Sequence, residues 1–255
     1  MDLSRLNPQS RVVPSALPRT LPGGKPAVLL FHGFTGYPGN LYYVAGELQK
    51  AGFTVRVPRL PGHGTDGIDF LSSNWRDWLR RAVDEYLELA SQQSPVYVAG
   101  LSMGALLSSI IASRFPVERV ALLAPAFEVR NRLIAISGIA GLFVKRYRSG
   151  EHESYDDPDR EYISGEYWDY TWPSLTWGVY RLQRMARRSL PRISGRVLTI
   201  VSEMDETVPP SVAALIERGA PQATPRTIVL RESSHVITRD VEAERVAQEL
   251  LSFFG

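Results

Sequence analysis

The chain has 255 residues, and none of them is cysteine. Without thiols it can form neither disulfide bonds nor a thiolate metal site. It also lacks any run near the ~18 apolar residues that a membrane-spanning helix needs. Its first 20 residues lack the uninterrupted apolar core of a secretory signal. These absences lead us to expect a soluble cytoplasmic protein with no stable membrane insertion.

An excess of charge of either sign is missing as well. Lys and Arg number 29 against 27 Asp and Glu, so the formal net charge is +2. This balance gives no electrostatic reason to expect a nucleic-acid partner or binding to an anionic membrane. One local cluster of basic residues lies on an apparent helix, and we interpret it as a solvated helix face: Arg181, Arg184, Arg187 and Arg188.

Apolar runs of strand length alternate with segments of helical periodicity along most of the chain. Strands are predicted at residues 27–34, 53–60, 96–100, 119–127, 196–205 and 226–233. Helices are predicted at residues 40–52, 74–92, 105–115, 210–219 and 238–253. This order predicts an α/β fold in which helices cover both faces of a mostly parallel sheet. The proline-rich first 25 residues predict an extended leader across the surface.

Residues 128–190 interrupt the alternation with an insertion of different composition. It consists of an apolar segment, an acidic loop and an aromatic stretch: residues 133–143, 151–162 and 167–180. A long insertion without sheet strands predicts a cap or lid over a site, on a core formed by residues 1–127 and 191–255. The apolar segment could form an acyl-binding wall or an interfacial patch. Its length favours a buried helix over membrane contact.

A serine between two glycines marks the junction of a predicted strand and a predicted helix. Gly100 and Gly104 each lie two residues from Ser102. Glycine is unfavourable in strands and helices, so a tight turn that leaves no room for side chains explains the spacing better than propensity does. This is the Gly-x-Ser-x-Gly nucleophile elbow. The alternative is a helix N-cap serine with incidental glycines.

A nucleophilic serine needs a histidine base, and two of the four histidines follow Ser102 in the chain. His152 lies in the acidic loop, where we expect it to be exposed. His235 follows the last predicted strand and therefore lies at the same sheet edge as Ser102. Its neighbours Ser233 and Ser234 are small enough for a close approach. We predict that His235 is the base.

The base needs an acid to orient it, and the segment after the strand at 196–205 offers three candidates. These are Glu203, Asp205 and Glu206. Asp205 lies just past the strand end and before a proline-bounded turn, so we favour it, with the two glutamates as alternatives.

The tetrahedral intermediate of acyl transfer needs two N–H donors directed at its oxyanion. The N–H of Met103, directly after the nucleophile, is one candidate. The other is the N–H of Phe34 in the loop after the first strand, where Gly33 would let a substrate approach. A plain strand-to-helix turn is the alternative interpretation of this loop.

The chain resembles the α/β-hydrolase superfamily, and within it the small bacterial carboxylesterases and monoacylglycerol lipases. The matching stretches are "LLFHGFTG", "PRLPGHG", "VAGLSMGA", "MDETVPP" and "SSHVITRD", which span residues 29–242. The resemblance implies an α/β-hydrolase fold with a small inserted cap. It also implies a catalytic triad, two oxyanion donors and a structural histidine: Ser102, Asp205 and His235, then Phe34 and Met103, then His63.

These residues predict a serine carboxylesterase that hydrolyses short- to medium-chain esters through an acyl-enzyme. Such chemistry needs a small-molecule ester substrate and no cofactor. The sequence "DDPDRE" partly resembles a calcium loop but lacks the glycine that the turn requires, so we expect no metal. A monoacylglycerol lipase is the main alternative, followed by a thioesterase or acyltransferase. A slow-turnover small-molecule receptor of the same fold is the alternative from another class.

Overall fold

A computed structural model describes residues 7–149 and 154–255. Nine strands lie in this part of the chain: β1 Arg19–Leu21, β2 Gly24–Phe31, β3 Phe53–Val57, β4 Val96–Leu101, β5 Arg119–Leu123, β6 Tyr147–Arg148, β7 Tyr170–Thr171, β8 Arg196–Ser202 and β9 Thr224–Leu230. Seven form one sheet in the order β1-β3-β2-β4-β5-β8-β9, and β6 pairs with β7 in a separate ribbon. All pairs in the main sheet are parallel except β1 with β3.

The α-helices of the described residues are α1 Tyr42–Lys50, α2 Gly67–Ser72, α3 Trp75–Gln92, α4 Met103–Ala112, α5 Ser137–Ala140, α6 Pro158–Ile163, α7 Pro173–Ser189, α8 Val212–Gly219 and α9 Ala243–Phe254. A π-helical turn, Ser164–Trp168, follows α6 directly. The long helix α3 begins at a capping box, because the side chain of Asn74 accepts from Arg76 N–H and Asp77 bonds back to Asn74 N–H.

Two hydrophobic layers enclose the sheet, as the alternation of strands and helices predicts. Along β2, Ala27, Leu29 and Phe31 face the layer that contains α3, α4, α7 and α8. The intervening Val28 and Leu30 face the layer that contains α1 and α9. Successive strand residues point to opposite faces, so a strand buried on both sides must be continuously apolar. The predicted α/β fold class, with helices on both faces of a mostly parallel sheet, is therefore confirmed.

The N-terminal segment differs from the predicted surface leader. A short 3-10 turn at Pro14–Ala16 buries Val13 and Ala16 against the core, and β1 then pairs with β3. Three residues are too few to show strand periodicity. Prolines on both sides of β1 are compatible with its place at the sheet edge, where missing N–H donors cost little.

The apolar segment at residues 133–143 is not the buried helix that its composition predicts. It folds as a 3-10 turn and the four-residue α5, and five of its large side chains are exposed: Leu133, Ile136, Ile139, Leu142 and Phe143. Gly138 and Gly141 face α7 instead, where an added Cβ would lie 2.8 Å from Trp177 and from Ser174 N. Gly138 and Gly141 make the contact with α7, Ile134 packs against the core, and the five large side chains named above point outward. None of the described helices is long and apolar enough to cross a membrane.

The remaining insertion packs onto the core chiefly through aromatic side chains. Tyr167 and Trp172 are buried and Tyr167 stacks on Phe70 of α2, with ring centroids 4.8 Å apart. Helix α7 lies against α3 and α4. These contacts agree with the expectation that most rings of the aromatic stretch serve packing. The division into a core and a cap at residues 128–190 stays a prediction.

Candidate active site

The turn at Ser102 is held by close backbone packing at the carboxyl end of β4. Ser102 has φ +56° and ψ −112°, a conformation that L-residues rarely adopt. A Cβ on Gly100 would lie 2.2 Å from the carbonyl carbon of Gly104, and one on Gly104 would lie 2.1 Å from the Phe31 oxygen. Both glycines are therefore needed to let α4 start directly against β4 and β2. The serine projects from this junction.

The structure brings the side chains of Ser102, His235 and Asp205 together. Nε2 of His235 lies 2.9 Å from Oγ of Ser102, and Nδ1 lies 2.8 Å from Oδ2 of Asp205. An ionised carboxylate can only accept, so Nδ1 carries the proton and Nε2 is free to accept from the serine hydroxyl. The three residues come from loops after β4, β9 and β8, which all end at one sheet edge.

The side chain of Asp205 accepts hydrogen bonds from the backbone of its own loop. Its Oδ1 accepts from the N–H groups of Thr207 and Val208, both at 2.8 Å, and its carbonyl accepts from Nε of Arg130 at 3.1 Å. Burial works to raise the pKa of this carboxyl, but the bonds from His235 and from the two N–H groups outweigh burial and lower the pKa. Asp205 therefore stays ionised. The alternatives Glu203 and Glu206 are exposed.

Two acidic residues that sequence reasoning missed hold the loop of His235. Oε2 of Glu242 accepts from the N–H of Ser233 at 3.0 Å, and a carboxylate oxygen of Asp240 accepts from the N–H of Ser234 at 2.5 Å. Each carboxylate also accepts from a serine hydroxyl, Glu242 from that of Ser233 and Asp240 from that of Ser234. In the sequence, only the short distance along the chain from His235 to Asp240 and Glu242 could have indicated this role.

The loop after β2 lies directly against the serine. A Cβ on Gly33 would lie 3.2 Å from Cβ of Ser102, which is closer than most such contacts, so glycine eases this approach. The N–H of Phe34 makes no hydrogen bond to any described residue. Met103 is the first residue of α4, where helix N–H groups have no partner within the helix. Both predicted donors are therefore available.

His32 fixes this loop from within the core. Its Nδ1–H donates to the Gly33 carbonyl at 2.9 Å, and its Nε2 accepts from the N–H of Leu60 at 3.1 Å. The ring is fully buried beside His63, with centroids 5.0 Å apart. Burial lowers the pKa of His32 to about 4, and burial together with His32 lowers the pKa of His63 well below its usual value. Both rings are neutral and part of the scaffold near neutral pH.

A cavity of about 690 Å³ opens over Ser102 and His235. Its walls include Phe34 and Val236 of the core and Trp168 of the insertion. In residues 7–149 and 154–255 no group of three or more His, Asp or Glu side chains could hold a metal. In the "DDPDRE" segment, Asp157 caps α6 through its side chain. The remaining histidine after Ser102, His152, lies outside the described residues.

Comparison with protein families matches residues 28–249 to the Alpha/beta hydrolase family. The chain belongs to this family. A relative of this α/β-hydrolase is the thermostable monoacylglycerol lipase of Bacillus sp. (strain H-257), 30% identical over 250 residues and 98% of each chain. The carboxylesterase of Bacillus subtilis (strain 168) is 24% identical over 92% of this chain and 95% of its own.

Solved structures of other proteins have the same fold as this α/β-hydrolase. A structure described with the metagenome-derived lipolytic enzymes LipS and LipT has a TM-score of 0.84 at 27% identity and covers 96% of this chain and 99% of its own. The monoacylglycerol lipase of Paleococcus ferrophilus shares the fold, with a TM-score of 0.74 at 18% identity over 93% and 97% of the chains. The two Bacillus relatives and the structure described with LipS and LipT support esterase or lipase activity of the α/β-hydrolase type.

The buried His32 predicts a loss of stability in mild acid. Its pKa is 6.5 in the unfolded chain and about 4 in the folded state, so the unfolded state binds more protons between these values. The free energy of unfolding should therefore fall as the pH falls from 6.5 to 4, by up to about 3 kcal/mol for this residue. Urea unfolding at a series of pH values measures the slope.

The substitution His32→Asn keeps an amide donor near Nδ1 and removes the titration of this residue, so it should reduce the slope in this window. The buried His63, whose pKa is also lowered, accounts for slope that remains in the variant. Carboxylates with lowered pKa values, such as Asp205 and Glu242, lose their contribution as the pH falls below their ordinary values, but they do so in the variant and the wild type alike. The difference between the two slopes therefore isolates His32. Equal slopes in the variant and the wild type would contradict the assignment.

Proposed function

We propose that the chain is a serine carboxylesterase that hydrolyses short- to medium-chain esters through an acyl-enzyme. The observation that carries the proposal is the bridging position of His235, 2.9 Å from the Ser102 hydroxyl and 2.8 Å from the Asp205 carboxylate. In this arrangement the base lies between the nucleophile and the orienting acid, as acyl transfer by serine requires.

In the proposed reaction, Oγ of Ser102 attacks the ester carbonyl while its proton moves to Nε2 of His235. Asp205 stabilises the resulting imidazolium through the hydrogen bond to Nδ1. The imidazolium then protonates the leaving alcohol, and the acyl group stays on Ser102. Water, activated by the same imidazole, releases the acid and restores the hydroxyl.

The negative charge on the carbonyl oxygen develops at the N-terminus of α4. In the proposal, the N–H groups of Met103 and Phe34 donate to that oxygen. Two observations support this placement. Neither N–H group donates to another described residue, and Gly33 contacts Ser102. The dipole of α4 adds a favourable potential for the same charge.

A monoacylglycerol lipase is the second candidate. It is favoured by the 30% identity to a relative of that name, with almost complete coverage of both chains. Both candidates use the same residues and differ only in the alcohol and acyl groups that the cavity admits.

The serine is tested by substitution. We expect Ser102→Ala to lower kcat on p-nitrophenyl butyrate by a factor on the order of 10³ or more, because the nucleophile is lost. Ser108→Ala is the matched control. It removes a buried hydroxyl of α4 that has no hydrogen-bond partner in the described chain, and it should leave kcat unchanged. Near-normal hydrolysis by the Ser102 variant would exclude the proposed mechanism.

The substrate class is tested by a graded series of esters. We expect kcat/KM to be highest on p-nitrophenyl esters with acyl chains of about four to eight carbons and lower on 1-monooleoylglycerol, since the cavity limits the acyl group. Steady-state rates below the critical micelle concentration give the comparison. A clear preference for the monoacylglycerol would replace the first candidate with the second.

A further inference from the structure

One hydrogen bond joins the insertion to the loop that carries the proposed oxyanion donor. Nε1–H of Trp168 donates to the carbonyl of Thr35, with an N···O distance of 2.8 Å. Trp168 is the last residue of the π-helical turn Ser164–Trp168. Single π-helical turns are rare and occur frequently at functional sites.

The acceptor belongs to a chain of two hydrogen-bonded peptide units. The Thr35–Gly36 unit accepts from Trp168 through its carbonyl, and its N–H donates to the Gly33 carbonyl at 3.2 Å. That carbonyl belongs to the Gly33–Phe34 unit, whose N–H is the proposed oxyanion donor. A trans peptide is planar and its C=O and N–H point in opposite directions. Holding the Gly33 carbonyl therefore sets the direction of the Phe34 N–H.

We propose that Trp168 is a positioning residue that aims the Phe34 N–H at the oxyanion through this chain of peptide units. The inference rests on the proposed function, because it assigns a role to the donor named there. Each bond along such a chain also polarises the next, so the indole N–H makes the Phe34 N–H a better donor.

The loop needs this support because its own conformation is unfavourable. Thr35 has φ +59°, a left-handed value that β-branched residues adopt rarely. Among the residues that the structure describes, its hydroxyl bonds only to the adjacent Phe34 carbonyl, at 2.6 Å. His32 holds the Gly33 carbonyl from the core side, and Trp168 holds the next peptide unit from the side of the insertion.

The indole itself is held between two rings. Tyr37 of the core stacks on Trp168 with centroids 6.1 Å apart and planes at 15°, and Tyr155 meets it edge-on at 5.7 Å. The donor therefore has a defined direction. The bond forms only when residues 164–168 lie on the loop, so the seating of this segment and the alignment of the Phe34 N–H are coupled.

The neighbouring contacts of the same segment reach a different part of the core. The Tyr167 hydroxyl accepts from Gly64 N–H at 3.0 Å, and Oε2 of Glu166 accepts from Gly67 N–H at 3.1 Å. Trp172 donates its Nε1–H to the Tyr167 carbonyl at 3.0 Å, wholly within the insertion. Trp172 is thus a matched control, with the same kind of bond and no contact to the oxyanion loop.

The test removes the indole donor while keeping the ring shape. Trp168 also lines the cavity, so Trp168→Phe alone would change substrate binding as well. Replacement of Trp168 by 3-benzothienylalanine, in which sulfur replaces N–H, separates the two effects. We expect kcat on p-nitrophenyl butyrate to fall about tenfold, less than the 10²–10³ for loss of a whole donor, with KM changed less than about twofold.

A second readout distinguishes positioning from general loosening. A trifluoromethyl ketone forms a tetrahedral adduct with the serine, so its Ki should rise about tenfold in parallel with the loss of kcat. The same replacement at Trp172 should change neither value. Thermal unfolding of each variant verifies that the fold is kept.

The outcomes separate the inference from the function on which it rests. Unchanged kcat and Ki in the isosteric variant of Trp168, with Ser102-dependent hydrolysis by the wild type, would overturn the positioning role alone. Equal losses in the Trp172 variant would overturn it too, because the effect would then be a loosening of the insertion. A wild type without ester hydrolysis would overturn the proposed function and the inference together.

Discussion

Three segments of backbone meet within van der Waals distance at the carboxyl edge of the sheet, and the site depends on this approach. The end of β2, the turn at Ser102 and the first turn of α4 leave no space for a Cβ at Gly100 or Gly104 and little space for one at Gly33. The tight turn exposes the serine, places the amides of α4 beside it and brings the loop after β2 within reach. Interiors are close-packed, so a shift of any one segment would move the other two.

The polar groups around this junction are held by short local bonds. Asp205 and Glu242 each accept two or more backbone N–H groups in the loops after β8 and β9. His32 holds the loop after β2 in a similar way, because its neutral ring donates to the Gly33 carbonyl and accepts from the N–H of Leu60. Such bonds fix the atoms of the proposed site in advance, and in the proposed reaction preorganisation of this kind lowers the cost of charge development.

Local patterns in the sequence were sufficient to predict the parallel sheet and the candidate triad. The strand–helix alternation determines the fold class, and the glycines around Ser102 signal a steric requirement that no element propensity explains. Asp205 and His235 could be predicted because each lies just after a strand, and parallel strands end at one edge.

Long-range geometry accounts for what the sequence could not predict. The bond from Trp168 to Thr35 joins residues 133 positions apart, and nothing near either residue indicates it. The direction of the apolar side chains at residues 133–143 depends on Gly138 and Gly141 facing α7, which composition cannot tell. The three-residue β1 is defined by its pairing with β3 rather than by its own pattern.

Covalent labelling tests most directly whether Ser102, His235 and Asp205 act as one unit. A fluorophosphonate should react once per chain, and peptide mass spectrometry should locate the adduct on Ser102. Replacement of His235 by Gln should slow labelling by a factor on the order of 10³ or more, because the serine then lacks its base. An adduct on another serine, or equal labelling rates in the wild type and the His235 variant, would contradict the proposed site.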